Sequence, residues 1–304
     1  DPVSAAPVSA APVSGAGGGL PVLISEQPLG VLLAASARSS ARLLSPFAAA
    51  AHSALTAAAR SSSATASGDT PAELRNQRLI GNAEIDKILF DEWRQLDSAL
   101  SALLAGHEPA SRASRMQGAA LARVGARWLT DAQAAESDHD GVILPMAAAL
   151  GLRLLSRVHG AAGEQGGTLG HAAPIFGLLS AALGIPLQSA VRAFSFANAR
   201  DALSSAIRLD LVGPLQAVGL MSTLASAARD GERASEHAAW LAIIKAGHAP
   251  LGSSGADGEQ MLHEALLASS AARWASVRHA AGSAPVLDTL HSCHDLLEMR
   301  LFQT

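Results

Sequence analysis

The chain predicts an all-α fold, and three observations predict it. Apolar residues make up 49% of the 304, yet aromatics are 3% and Tyr is absent, so Ala and Leu carry the core. Both are strong helix formers, and the β-branched and aromatic residues that favour strands are scarce. Apolar residues recur at three- and four-residue steps in several stretches, the period of a helix with one buried face. Gly and Pro fall between those stretches as punctuation. The expectation is a single compact multi-helix domain of about ten helices over 26–304, behind a disordered low-complexity tail over 1–25.

That tail repeats Pro-Val-Ser-Ala-Ala and then runs into Gly-rich sequence. Such composition buries too little surface to fold. It lacks the charged start and long apolar run of a secretory signal. A first helical block covers 29–60, broken at Ser45 and Pro46, where Pro suits the start of a new helix. Residues 60–71 are rich in Ser, Thr and Gly and read as a loop.

The next helix is better marked. Ile85, Leu89, Trp93, Leu96, Leu100 and Leu103 form one stripe, with Asp86, Lys87, Asp91, Arg94, Gln95 and Ser98 on the other side. Gly106 to Pro109 ends it. Ala113, Met116, Ala120, Val124 and Trp128 form a second stripe, while Gly118, Ala119 and Ala122 leave room for close contact. Two long antiparallel helices joined by a short loop follow from this pattern. Residues 131–140 read as a polar loop, 141–158 as an apolar helix, and 159–167 as a flexible Gly-rich link. Two adjacent helices then meet at Gly184 and Pro186. Gly213 and Pro214 mark a tight interhelical turn, one that Gly213→Val would disrupt. Residues 246–258 read as a surface insertion. A last helix over 285–302 aligns Leu287, Leu290, His294, Leu297 and Leu301 on one face.

Composition also excludes function classes. Lys plus Arg is 22 and Asp plus Glu is 26, a formal charge of -4 without a dense basic block, so no nucleic-acid surface is expected. A single Cys suits a reducing compartment and leaves no internal disulfide. The longest apolar run, 141–155, is interrupted by Pro145 and Arg153 and falls short of the ~20 residues a bilayer demands. No membrane span is expected. Neither a phosphate-binding G-x-x-x-x-G-K-[ST] loop nor a G-x-S-x-G nucleophile elbow occurs.

The most specific stretch is 168–221. It contains HAAPIFG at 171–177, ALGIP at 182–186, RAFSF at 192–196, RDALSSAIRL at 200–209 and LVGP at 211–214. WRQLDSAL at 93–100, SRASRMQGAAL at 111–121 and CHDLLEMRLF at 293–302 agree in order, and LLSPF at 43–47 matches a short upstream element. In this order and spacing they resemble the urease accessory protein F (UreF) family, plant-type members above all. Coverage runs from Leu43 to Thr304, with two insertions. The family's N-terminal Pro-x-Gly-x-Phe-x-His-Ser-x-Gly-Leu-Glu region is not visible, and Phe194 stands where relatives carry Tyr.

The resemblance implies an all-helical scaffold and no enzyme. It implies a cytoplasmic adaptor that assembles with a UreD/UreH-type accessory protein, a UreG-type GTPase and apo-urease, in a family whose members are often homodimers. Nickel would be handled by the complex, with no cofactor bound stably by this chain. A generic helical adaptor unrelated to nickel and a helical-bundle enzyme are the rival readings.

Candidate residues follow from the resemblance and from helical geometry together. Asp201, Ser204, Ser205 and Arg208 share one narrow helical face, and Arg192 and Arg200 share another. They line either a partner-facing polar path or an internal salt-bridge network. His171 is either a metal ligand or a hydrogen-bonded core residue; no second His stands four residues away. His291, Cys293 and His294 are the densest metal-like group, with Cys293 pointing away from His291. Arg300, with Leu301 and Phe302, forms a terminal tip that either docks into a partner or complements the helix dipole. Arg300→Ala is expected to weaken GTPase recruitment without unfolding the domain.

Overall fold

The computed structural model describes residues 28–64, 71–137, 146–164, 170–248 and 257–282. Nine helices and no strand occur among the described residues: α1 (Pro28–Ala64), α2 (Pro71–Leu103), α3 (Glu108–Ser137), α4 (Met146–Glu164), α5 (Ala172–Ala182), α6 (Leu187–Arg208), α7 (Pro214–Lys245), α8 (Asp257–Ala268) and α9 (Ser270–Val277). The all-α expectation holds, with a helix number close to ten. No described helix is long and apolar enough to cross a membrane. The expected tail over 1–25 and the expected helix over 285–302 lie outside the described residues.

The shortest of the early helices sits at the centre. Ten of the eleven residues of α5 are buried, so it has no solvent face. α1, α3, α4 and α6 surround it. Its Ala, Gly and Ser side chains let those neighbours approach closely. The main core gathers here, with Phe47, Leu55, Trp93, Leu96, Leu100, Leu150, Leu155, Ile175 and Leu178 buried. A smaller core joins α1 to α6 and α7 through Leu203, Leu220 and Leu224. A third joins α6, α7, α8 and α9 through Ile243, Leu262 and Leu266.

Several expected boundaries move. Helix α1 runs unbroken through Pro46, which lies inside it. An interior Pro removes one backbone bond and costs roughly 3 kcal/mol. Burial of Phe47, Ala48, Ala50, Ala51 and Leu55 just beyond it offsets that loss, at ~25 cal/mol per Å² of apolar area removed from water. Helix α1 also extends to Ala64 into the expected loop, α3 extends through the expected polar loop to Ser137, and α4 continues through the expected link to Glu164. Ala-rich flanks favour continued helix over a stop.

The α2–α3 pair departs more. Leu104–His107 does turn the chain between them, but among the described residues the two helices do not pack along their lengths. Helix α3 instead packs on α4 and α5. Its buried side carries Ser111, Gly118, Ala122, Gly125 and Leu129. The expected stripe of Ala113, Met116, Val124 and Trp128 faces solvent. On α2, Leu89, Trp93, Leu96 and Leu100 are buried as expected, while Leu103 is exposed and Leu104 takes its place.

Candidate interaction surface

The rigid part of the molecule is built on two acids of α2. Asp97 and Glu92 lie among the buried residues of that helix. An acid there must be paired. The Asp97 carboxylate accepts the backbone N–H groups of Gly170, at 3.1 Å, and His171, at 2.7 Å. Those are the free donors at the start of α5, where the helix dipole favours negative charge. Gly170 has φ +103, a backbone that L side chains rarely adopt. Its carbonyl oxygen lies so close over Gly118 that a Cβ there would collide with it. Gly118, seen in the sequence as a close-contact position, is therefore a backbone-on-backbone contact.

His171 is fully buried. Its ring lies between α2 and α3, with Nε2 2.8 Å from the Ser101 hydroxyl and Nδ1 3.1 Å from the Ser114 hydroxyl. The Ser114 oxygen also accepts the Ala172 N–H at 3.2 Å. Neutral imidazole offers one donor and one acceptor, which matches two hydroxyls. Burial lowers its pKa below the ordinary histidine value; Asp97 opposes that shift and Arg115 adds to it. Both nitrogens are thus engaged in hydrogen bonds. The second acid, Glu92, forms a buried bidentate pair with Arg273 of α9, at 2.6 and 2.9 Å. Arg273 also donates to the Leu266 carbonyl, and Ser270 donates to Glu92. This pair ties α9, which packs on α1, α7 and α8, to α2.

The α6 residues singled out in the sequence lie on the outside. Arg192, Arg200, Asp201, Ser205 and Arg208 are exposed and Ser204 is half-buried. Arg200 pairs with its neighbour Asp201 at 2.9 Å, and Ser205 bonds the Asp201 carbonyl. Both pair members are exposed, so no internal salt-bridge network forms here. Ala199, Leu203 and Ala206 bury the opposite side. Gly213 corrects another expectation: it is exposed, has φ -69, and a Cβ there would meet nothing within 4 Å. Asp210 takes the left-handed conformation of that turn instead, at φ 56, as Asp tolerates. Arg300, Leu301, Phe302, His291, Cys293 and His294 lie outside the described residues.

The turn between α6 and α7, with the start of α7, presents apolar surface. Leu215 is 91% exposed and Val218 is 74% exposed, with Leu209 and Leu211 beside them in the chain. Val31 and Leu32, also exposed, belong to the start of α1, which packs on the same small core through Leu29 and Leu33. Isolated exposed leucines are ordinary; a run of them on one turn marks a contact surface. Among the described residues no three His, Cys, Asp or Glu converge to hold a metal ion. A cleft of about 350 Å³ between α1, α2 and α8 is lined mainly by Ala54, Ala57, Ala58, Ile85, Ile88 and Leu89, and its Glu92 and Arg273 are already paired.

A scaffold of small-residue helices with an apolar outer turn can be compared with known proteins. The family model UreF matches residues 25–225, more than half of the chain. This chain belongs to the UreF family. Among similar relatives is urease accessory protein F of Oryza sativa subsp. indica, 28% identical over 214 residues, covering 70% of this chain and 59% of the rice protein. Urease accessory protein F of Arabidopsis thaliana is 34% identical over 128 residues, 42% of this chain and 45% of that protein. Urease accessory protein 6 of Cryptococcus neoformans is 47% identical over 45 residues, 15% of this chain and 14% of that protein. The chain thus spans about three-fifths of the length of the rice relative. No solved structure matches. The UreF match takes in the α5 clamp, all of α6 and the apolar α6–α7 turn.

Sequence reasoning missed Asp97, Glu92 and Arg273. The signal was present for the two acids. Asp97 stands four residues after Trp93 and three before Leu100, and Glu92 stands three after Leu89. Both spacings put an acid on the apolar stripe.

Proposed function

We propose that this chain works as a urease accessory scaffold. It would join a UreD-type accessory protein and a UreG-type GTPase on apo-urease and support GTP-dependent nickel insertion. Nickel is cargo in this reading, passed on by the assembly and not retained by this chain. Support comes from one observation above the rest. The UreF-matched stretch keeps its clamp residues inward and turns Leu209, Leu211, Leu215 and Val218 outward. Burying such side chains against another subunit stabilises a complex by ~25 cal/mol per Å² of apolar area. The exposed Arg192, Arg200 and Arg208 add charge on α6, the helix that leads into that turn, suited to carboxylates of a partner. Arg300, Leu301 and Phe302 remain proposed partner contacts of the terminal tip.

Co-purification of the full chain with UreD and UreG, followed by nickel-dependent activation of apo-urease, tests the proposal. The expected result is a stable complex and urease activity that requires this chain. Activation that proceeds equally well without it would refute the reading.

A further inference from the structure

Helix α3 has two apolar faces, and among the described residues only one of them is packed against other helices. Ser111, Gly118, Ala122, Gly125 and Leu129 face α4 and α5. On the other side Met116 is 60% exposed and Trp128 is 57% exposed, with exposed Val124 between them. Met116, Ala120, Val124 and Trp128 follow one another at four-residue steps, so they make a stripe that turns slowly around the helix. A solvated Trp and Met on one stripe is the composition of a contact site, since aromatic and Met side chains are enriched there.

Charge states what the stripe would contact. Arg123 and Arg127 are exposed and stand three residues after Ala120 and Val124, so they run along one edge of it. Arg127 has Asp131 at 3.8 Å, but their side chains are 83% and 69% exposed, so that pair neutralises little. The edge is therefore basic while the stripe is apolar.

We infer that the outward face of α3 docks an amphipathic helix of a partner protein, one whose apolar face is bordered by Asp and Glu. The apolar stripe supplies the area, and the arginine edge sets orientation and rejects basic helices. An antiparallel second copy of α3 would lay one arginine edge beside the other, which like charges oppose. The docking depends on α3 alone and stands apart from nickel delivery.

The test uses the full chain and two synthetic helical peptides of about 18 residues, five turns each. Both carry Leu at four-residue steps. One has Glu along one edge, the other Lys at the same positions. Binding is read by anisotropy of the labelled peptide and by the Trp emission of the protein. The acidic peptide is expected to bind at least about tenfold more tightly than the basic one, with affinity falling as salt rises. Trp128→Ser combined with Met116→Ser should abolish binding with thermal unfolding unchanged. Arg123→Glu combined with Arg127→Glu should reverse the preference between the peptides. Equal affinity for the two peptides, or acidic-peptide binding untouched by either double variant, overturns the inference. So does self-association that Trp128→Ser abolishes while neither peptide binds, which would give the face to a second copy. Peptide binding that emerges only after deletion of 283–304 would give it to that segment of the same chain and overturn the inference equally.

Discussion

Around α5, ten of eleven residues are buried and Asp97, His171, Ser101 and Ser114 are paired across helices, whereas the α6–α7 turn and the start of α7 leave Leu209, Leu211, Leu215 and Val218 in solvent. The two regions invert the usual placement. Buried Asp97 and His171 sit where apolar side chains would be simpler, and leucines stand where polar residues would be more soluble. In the first region, two polar side chains order the backbone: Asp97 and Ser114 together satisfy three N–H groups at the start of α5. In the second, nothing within the chain is gained by exposing Leu215. Its burial becomes favourable when another surface arrives. One region holds the fold, and the other is the surface that the proposed function assigns to a partner.

Substitutions should therefore divide by region. The largest effect is expected at Gly118. A Val there must displace the Gly170 backbone and, with it, the capped start of α5. Overpacking costs roughly 1–3 kcal/mol, occasionally more, and a backbone obstacle belongs at the upper end. Urea unfolding of Gly118→Val should show a midpoint far below the parent's; a retained midpoint would mean that α3 and the α5 start do not touch. Asp97→Ala comes next. It strands the Gly170 and His171 donors in the core, at about 3 kcal/mol for two hydrogen bonds to a charged acceptor. A loss under about 0.5 kcal/mol would show that the clamp is not closed in solution.

Acid should act on the buried histidines. Burial lowers the pKa of His52, His171 and His263 below 6.5. As pH falls through 6.5, the unfolded chain takes up protons that the folded chain resists, so stability declines until the lowered folded values are passed. Glu232 and Glu236 act in the opposite sense. Burial raises both above 4.5, so their ionised forms cost stability at neutral pH and that cost fades as pH falls through the raised values toward 4.5. His52→Gln keeps a donor for the Ile185 carbonyl, which His52 Nε2 meets at 2.8 Å. Its stability should vary less than the parent's between about pH 7.5 and 5.5; a matching slope would remove His52 from the account. At the small end, Gly213→Val should shift stability by less than about 0.5 kcal/mol, since the site is open and its φ is negative. A large loss there would restore the tight-turn requirement that the sequence suggested.

Much of the helical order was legible. The divisions at Gly184–Pro186 and Gly213–Pro214 fall where punctuation put them, and the α2 stripe of Leu89, Trp93, Leu96 and Leu100 is the buried one. What failed has a common cause. Hydrophobic pattern ranks Met116, Val124 and Trp128 above Gly118, Ala122 and Gly125, yet α3 buries the small residues: Gly118 admits the Gly170 backbone and Gly125 admits the Leu155 and Leu179 side chains. In an Ala-rich chain, size and not hydropathy decides which face packs. Pro46, expected to start a new helix, lies inside α1 instead, where the residues on either side of it are buried. The exposure of the α6 arginines required tertiary placement, because spacing alone leaves a polar face either inward or outward.

The division between a clamped core and an open turn is tested most directly by Leu215→Ser combined with Val218→Ser. Unfolding and complex formation with UreD and UreG would be measured on the same preparation. The account predicts an unfolding midpoint within experimental error of the parent's and a lost complex. A complex of undiminished affinity, or a fall in stability that parallels any loss of binding, would contradict it.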